Sequence, residues 1–354
     1  MKIGICNLNG TTIKKGTNIN SEEVINLCNG INNTTDNVCT VFNYSKVQPD
    51  FNNISIYDAN FDINSFDKII IMGSMANFFG GVKDDDVINI YKVLAKYNRG
   101  NLYYIFNDFR LPFRQLWKNI ANRDWNDCAK EDVFITAPIV ILSQFRDLKD
   151  ALKANTYDGN NIADVVFFDF AKWILHTDAC KYIDNTGEYD LIYGGSFRAG
   201  NRVKKFTEYF VNRDSNIAIY GSMSARNFKD IPEEQLPEFL GRVDSEKCIE
   251  MNSKGFSTLI VGEKHYNNST ITLRVYESIL ANCVVFIDTE FDEKHYLNLH
   301  PFMYIKSGKE LDDKIEFLRS NKEAYDTVIS HQKDFINECK SYNVVNELIK
   351  LIGG

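Results

Sequence analysis

The stretch Tyr193-Gly194-Gly195-Ser196-Phe197-Arg198-Ala199-Gly200-Asn201-Arg202 decides the fold of this chain. It follows the apolar pair Leu191-Ile192, which is predicted to end a buried strand, and it precedes residues 203–210, whose apolar side chains recur at helical spacing. The pattern predicts a glycine-rich turn between a strand and a helix. Glycines let the backbone approach a ligand, and the free N–H groups at a helix start attract phosphate.

Two arginines of this stretch indicate what the turn would bind. Arg198 and Arg202 are one helical turn apart and can face the same anion, with the fork geometry that suits phosphate. The alternative is an ordinary helix cap with two solvated arginines. We therefore predict a phosphate site here and keep the plain turn as the competing interpretation.

Composition sets the class of protein around this stretch. The 354 residues are 44% hydrophobic and 25% charged, which is typical of a soluble protein with two α/β domains. No apolar run is long enough for a membrane span, and the eight cysteines contain no Cys-x-x-Cys pair, so we expect a reduced, cytoplasmic protein without a zinc site. The net charge of −8 argues against unspecific nucleic-acid binding but leaves room for a local basic groove.

Alternating strands and helices predict two parallel sheets covered on both faces. We place the first domain at 1–182 and the second at 183–334, with a terminal helix at about 335–354 packing back on the first domain. The predicted strands are Lys2–Cys6, Val38–Phe42, Lys68–Met72, Asn101–Phe106, Pro138–Leu142 and Val165–Phe168, then Tyr189–Tyr193, Asn216–Tyr220, Phe256–Val261 and Cys283–Asp288.

A second candidate nucleotide contact is the run Thr270–Glu277, which leads into a predicted helix. Arg274 and Glu277 are three apart and so share a helical face. The carboxylate can accept both ribose hydroxyls while the arginine reaches a diphosphate. The competing interpretation is a surface ion pair.

The first domain offers a candidate general base and a candidate nucleic-acid surface. Asp108 follows an apolar strand at its carboxyl end, where it could act as a general base or merely cap a helix. The basic residues of the best nucleic-acid patch are Arg110, Arg114, Lys118 and Arg123, with tryptophans between them. The loop Asn77-Phe78-Phe79-Gly80-Gly81 could wedge into a base stack, although a phenylalanine pair is more often core.

Taken together in this order, these blocks resemble the T-even phage DNA β-glucosyltransferase family. The resemblance implies a GT-B fold, with two Rossmann-like domains facing a central cleft and a C-terminal helix that returns to the first domain. It implies inverting transfer of a sugar from a UDP-sugar, by default UDP-glucose, to 5-hydroxymethylcytosine in double-stranded DNA. It also implies base flipping, and it leaves a divalent metal, Mg²⁺ or Mn²⁺, open at the diphosphate. We expect a monomer, in the bacterial host's cytoplasm if the chain is phage-encoded.

The resemblance also assigns roles to residues. Asp108 matches the catalytic base, and the UDP contacts match Gly195, Ser196, Arg198, Arg202, Val243, Tyr266, Arg274 and Glu277. A glutamate of the family's first domain matches Glu23, or Glu22 under a one-residue shift. Where the family has a sugar-holding glutamate, this chain has Ala171, with Asp169 two positions earlier as a substitute.

Because Ala171 replaces that glutamate, the identity of the transferred sugar stays open. The donor is expected to be UDP-glucose with Asp169 as the substitute, or another UDP-sugar such as a UDP-pentose (arabinose). Two further alternatives stay open: a UDP-sugar transferase with a non-DNA acceptor, and a non-catalytic nucleotide- or DNA-binding protein.

Overall fold

A computed structural model describes the conformation of most of the chain. The described residues are 1–7, 22–43, 51–72, 89–90, 93–94, 96–97, 101–106, 140–146, 164–176, 180–197, 201–223, 228–244, 247–262 and 266–353. They form two compact units: Met1–Trp173 with Asn343–Gly354, and Ile174–Tyr342. Among the described helices, none combines the length and apolar character that a membrane span needs.

The first unit is built on a sheet of parallel strands. In chain order these are β1 (Lys2–Asn7), β2 (Val38–Asn43), β3 (Asn53–Ser55), β4 (Lys68–Met72), β5 (Leu102–Phe106), β6 (Val140–Ser143) and β7 (Asp164–Phe167). Their order across the sheet is β3-β2-β1-β4-β5-β6-β7. The apolar runs predicted as buried strands are buried as expected: Ile3, Ile5, Ile70 and Ile71 have no exposed surface.

Two helices of the first unit come from opposite ends of the sequence. They are α1 (Glu22–Thr34) and a C-terminal helix Val344–Gly353, which we call α7. Val344, Leu348 and Ile352 are buried, and the Tyr103 hydroxyl of β5 donates to the Ile352 carbonyl at 3.4 Å. The prediction that a C-terminal helix returns to the first domain is therefore confirmed.

The second unit repeats the arrangement with shorter strands at its edges. Its strands are β8 (Tyr189–Phe197), β9 (Ile217–Met223), β10 (Glu238–Gly241), β11 (Gly255–Ile260), β12 (Val284–Asp288) and β13 (Tyr304–Ile305), all parallel and in the order β10-β9-β8-β11-β12-β13. Its helices are α2 (Asn201–Phe210), α3 (Cys248–Asn252), α4 (Leu273–Leu280), α5 (Gly308–Ser320) and α6 (Lys322–Lys340). Both units are thus Rossmann-like α/β folds, as predicted.

The prediction of a turn over the whole glycine-rich stretch is wrong for its first half. Gly194, Gly195, Ser196 and Phe197 continue strand β8, paired in parallel with Tyr220–Met223 of β9. The glycines are needed there for close packing: a Cβ on Gly194 would lie 2.2 Å from the Tyr220 ring. Gly221 has a φ of 131°, and a Cβ there would lie 1.8 Å from the Gly195 carbonyl oxygen.

The units divide the chain at Trp173 and at Tyr342, whereas composition placed the boundaries at 182 and about 335. Residues 180–188 belong to the second unit and pack within it: Ile183 exchanges hydrogen bonds with the end of α4 and the loop after it, and Asn185 donates to the Gly255 carbonyl at 2.6 Å. Sequence patterns also missed the short strands β3, β10 and β13 and the helix α5. The spacing of apolar residues also predicts a helix over Asp84–Tyr97, and this segment lies largely outside the described residues.

Candidate functional site

Two helices of the second unit begin at the carboxyl edge of its sheet, on neighbouring strands. Helix α2 follows β8 and helix α4 follows β11, and β8 and β11 are adjacent in the sheet. The strand order reverses between them, since β9 and β10 lie on one side and β12 and β13 on the other. Ligands of open α/β sheets bind in the crevice at such a switch point, and helix N-termini favour an anion there.

Arg202 occupies the first turn of α2 and stands over an aromatic ring from the loop before α4. Its guanidinium carbon lies 5.9 Å from the centre of the Tyr266 ring. Tyr266 in turn begins a tight turn, because its carbonyl accepts from Ser269 N at 3.1 Å and Thr270 N at 3.3 Å. The contact places a cation from one side of the crevice against a residue from the other.

Arg274 supplies a second cation, from the first turn of α4. Its Nη1 donates to the Tyr193 hydroxyl of β8 at 3.5 Å, and its guanidinium lies 5.2 Å from the centre of that ring. Burial opposes the charge on Arg274, but the Tyr193 hydroxyl and the Glu277 carboxylate outweigh that effect and raise its pKa. Glu277 is itself buried one turn further along the helix. The arginine therefore stays cationic in a poorly solvated place, where it would bind phosphate strongly.

Val243 follows the end of β10, at the same carboxyl edge of the sheet. It packs on a buried cluster of Tyr189, Ile192, Ala218 and Tyr220. The Tyr220 hydroxyl donates to Asn252 Oδ1 at 2.9 Å, and burial raises the pKa of Tyr220. Val243 thus offers an apolar surface near the crevice, of the kind that would face a flat base.

Gly195 and Ser196 lie in the half-buried last part of β8, beside the start of α2. Gly195 is paired with Gly221 and Ser196 with Ser222. The hydroxyl of Ser222 accepts from Arg242 Nε at 3.0 Å. The structure thus gathers seven of the eight predicted UDP-binding residues around one sheet edge of the second unit; the eighth, Arg198, lies outside the described residues.

The predicted sugar contacts belong to the first unit, Asp169 just after a strand and Glu23 at the start of a helix. Glu23 is half-buried in the first turn of α1, which leads from β1 to β2. Asp169 follows β7 and is 4% exposed, with its Oδ2 3.3 Å from Lys172 Nζ. Burial raises the pKa of Asp169, against the opposing effect of Lys172. Ala171 is buried in the 3-10 helix Phe170–His176 and carries no hydrogen-bonding side chain.

The candidate catalytic base and the candidate DNA surface lie outside the described residues. They are Asp108 and the set Asn77, Phe78, Phe79, Gly80, Arg110, Arg114, Lys118 and Arg123. Within the described part of the chain, no three His, Cys, Asp or Glu side chains come together in a way that would hold a metal ion.

A buried ion pair of the second unit was not predicted from the sequence. Lys205 Nζ of α2 lies 2.9 Å from Asp288 Oδ2 at the end of β12. A lysine beside the aromatic residues Phe206 and Tyr209, which are buried with it, was the signal that could have pointed to it. Its partner could not be identified from the sequence, because the contact joins distant segments.

Comparison with known proteins gives one consistent result. A family model described as bacteriophage T4 beta-glucosyltransferase matches residues 1–173. The chain is 33% identical over 293 residues to the DNA beta-glucosyltransferase of Enterobacteria phage T4, covering 81% of this chain and 83% of that protein. A solved structure of the T4 phage enzyme in complex with its UDP-glucose substrate superimposes with a TM-score of 0.81, at 28% identity over 99% of both chains. Another, of that enzyme with UDP and Mn²⁺, has a TM-score of 0.79 at 29% identity, also over 99% of both chains.

Proposed function

The chain belongs to the bacteriophage T4 β-glucosyltransferase family, and from this we propose that it is an enzyme that transfers glucose from UDP-glucose to DNA. The observation that carries the proposal is the crevice between β8 and β11, where α2 and α4 both begin and where Arg202 and Arg274 supply two cations. A diphosphate carries the charge that such a crevice binds.

The donor would bind in the second unit. Arg202 and Arg274 would hold the diphosphate together with Arg198 of the preceding turn, and Glu277 would accept the ribose hydroxyls. Val243 and Tyr266 would border the uracil and the phosphates. As the sugar leaves UDP, negative charge grows on the diphosphate, and preorganised arginines stabilise that charge at no cost of reorientation.

The acceptor side of the proposal rests on the first unit. We propose that Asp108 removes the proton from the hydroxyl of 5-hydroxymethylcytosine, which then attacks the anomeric carbon once. A single displacement inverts the configuration of that carbon. The modified base must leave the DNA helix to reach Asp108, and the loop Asn77–Gly80 together with Arg110, Arg114, Lys118 and Arg123 would hold the duplex.

A divalent metal fits this chain only as a partner of the diphosphate. The described residues provide no carboxylate cage, whereas Mg²⁺ commonly keeps several waters and binds phosphate oxygens with few protein ligands. Mg²⁺ or Mn²⁺ would supply extra positive charge to the departing UDP. The contribution of the protein itself is the pair of arginines.

In this proposal, the identity of the transferred sugar depends on residues of the first unit. Asp169 would bind a glucose hydroxyl if that hydroxyl joins or replaces Lys172 as its partner. Ala171 favours the second candidate, a UDP-pentose such as UDP-arabinose, since a site without a hydrogen-bond acceptor gains nothing from the hydroxyl group that a pentose lacks. A lost hydrogen bond of this kind is worth about 1–3 kcal/mol in discrimination.

One experiment tests the reaction, the acceptor and the sugar together. The protein is incubated with hydroxymethylated DNA or plain DNA and with UDP-glucose or UDP-arabinose, and the nucleosides are then weighed by mass spectrometry. We expect a hexose on hydroxymethylcytosine only. No transfer to hydroxymethylated DNA would refute the proposed function, and a pentose adduct would select the second donor.

The role of Asp108 is tested with a variant. Asp108→Ala should lower the transfer rate by about 10²–10⁴, the usual contribution of a general base, while UDP binding stays near the wild-type value. Asp108→Asn is the matched control for shape, and it should be as inactive as Asp108→Ala. Near-normal turnover in either variant would exclude Asp108 as the base.

A further inference from the structure

The ion pair between Lys205 and Asp288 is deeply buried in the second unit. Their side chains are 10% and 3% exposed. Lys205 Nζ also lies 3.3 Å from Glu290 Oε1 and 3.5 Å from Glu208 Oε2, so three carboxylates surround one ammonium group. Burial opposes the charge on Lys205, but the contacts with Asp288 and the other carboxylates outweigh that effect and raise its pKa, which keeps the lysine charged.

A buried ion pair is weak evidence for fold stability. Removing two charges from water is costly, and replacing such a pair by apolar residues of similar size is often neutral or stabilising. Buried ion pairs are best attested where they fix one arrangement of packed elements against others. The pair is therefore expected to fix the relative position of the elements that it joins.

The pair connects elements from both sides of the crevice. Lys205 belongs to α2, which follows β8, whereas Asp288 ends β12, on the far side of β11. Asp288 is also fixed by its own loop, because its Oδ1 accepts from Glu290 N at 2.9 Å. Lys205 lies one turn after Arg202 on the same helix, so a shift of α2 against β12 would carry the Arg202 guanidinium with it.

We propose that Lys205 is a positioning residue for donor binding, which holds the first turns of α2, and with them Arg202, where the diphosphate of the UDP-sugar binds. This inference rests on the proposed function. Lys205 also offsets part of the negative charge of the three carboxylates around it, a charge that would repel an anionic ligand. It acts through Arg202 and need not touch the donor.

The decisive variant is the double substitution Lys205→Met with Asp288→Asn. It removes both charges, so no unpaired charge is left buried, and the asparagine side chain would keep the Oδ1 acceptor for Glu290 N. We expect thermal stability close to that of the wild type but UDP affinity weaker by about tenfold, a coupling typical of neighbouring groups. Lys204→Met, on an exposed neighbour in the same helix, is the matched control and should bind UDP normally.

A second measurement separates positioning from a general loss of structure. Arg202→Ala is made in the wild type and in the double variant, and UDP affinity is measured by calorimetry in all four proteins. If Lys205 positions Arg202, Arg202→Ala should weaken binding much less in the double variant than in the wild type. If the double variant does not fold, Asp288→Asn alone replaces it in the same cycle.

The outcomes are distinct. Wild-type affinity in the double variant, or an equal effect of Arg202→Ala in both backgrounds, would overturn the positioning role and leave the proposed function intact. Absence of UDP binding by the wild type would overturn the proposed function, and this inference with it.

Discussion

At the start of β12, a glutamine side chain from α6 makes the hydrogen bonds that a neighbouring strand would otherwise make. Gln332 is 1% exposed; its Oε1 accepts from Val285 N at 2.8 Å and its Nε2 donates to the Cys283 carbonyl at 2.7 Å. Strand β13 pairs with β12 only further along, at Ile287 and Asp288. The side-chain amide therefore takes the place of a neighbouring backbone at the start of β12.

Gln332→Leu should destabilise the second unit by about 1–4 kcal/mol. Each of the two buried backbone groups would lose its partner at a cost of roughly 1–3 kcal/mol, while the added apolar surface recovers about 1–2 kcal/mol. With a urea dependence of about 2 kcal/mol per molar, the unfolding midpoint should fall by roughly 0.5–2 M. The loss should be concentrated at the start of β12.

Two measurements check this prediction. Urea unfolding gives the change in midpoint, and hydrogen exchange read by mass spectrometry shows whether the Val285 amide exchanges faster. Asn337→Leu is the control, because residue 337 is exposed on the same helix and its substitution should change stability by less than about 0.5 kcal/mol. If Gln332→Leu and Asn337→Leu unfold at the same urea concentration, with equal protection of Val285, the amide does not stabilise the sheet.

Three further changes have expected outcomes. Arg274→Ala should weaken UDP binding by about 1.5–3 kcal/mol, the value of a hydrogen bond to a charged group, and an unchanged dissociation constant in calorimetry contradicts the site. Gly221→Ala should lower the melting temperature sharply or prevent folding, because its Cβ would lie 1.8 Å from the Gly195 carbonyl oxygen; a wild-type melting curve would contradict that packing. Burial raises the pKa of Asp169 in the folded protein, so this carboxyl group stabilises the fold below its unfolded pKa and loses that contribution as the pH rises through the folded value. Asp169→Asn should therefore gain stability relative to the wild type as the pH rises above about 4, the usual pKa of an unfolded aspartate, and a difference that does not change with rising pH would contradict the shift.

Long apolar runs in the sequence predicted the longer strands of both sheets. The strand Lys68–Met72 has the bounds that its apolar run predicts, and Val284–Asp288 differs by one residue. Such runs are informative because a strand buried on both faces needs apolar residues throughout. The short strand Tyr304–Ile305 gives no such signal, since its pairing depends on β12 beside it.

The structural role of a glycine was harder to predict from the sequence than that of an apolar run. Gly194 and Gly195 have the composition of a turn, yet neighbouring side chains require them inside a strand, and only the packed structure separates the two uses. Helix α5 did carry a readable signal: Ser307 is followed by Glu310, and the Ser307 hydroxyl accepts from Glu310 N at 3.2 Å. That helix could have been predicted from its cap.

In the candidate site, too, local features could be predicted from the sequence and contacts between distant segments could not. Arg202 and Arg274 are identified by their positions at helix starts, which are local features of the sequence. The pairing of Lys205 with Asp288 depends on how strands β8 and β12 are ordered in the sheet, and strand order is a property of the whole unit. Side chains whose partners lie on distant segments are therefore the hardest part of a site to predict from the sequence.

The division of the first unit between Met1–Trp173 and Asn343–Gly354 has a consequence for biosynthesis. Ile174–Tyr342 is translated in the interval, which at roughly 5–20 residues per second lasts on the order of 10–30 s. Throughout that interval the nascent first unit lacks the helix that contacts Gly30 and Tyr103, so the surface on which this helix packs stays uncovered. Gly353 lies beside Met1, with a Cβ position 3.4 Å from the Met1 methyl carbon. A circular permutant that begins at Asn343 and joins Gly353 to Met1 through a short linker would encode the first unit as one continuous segment, so that this surface is covered before the second unit is made.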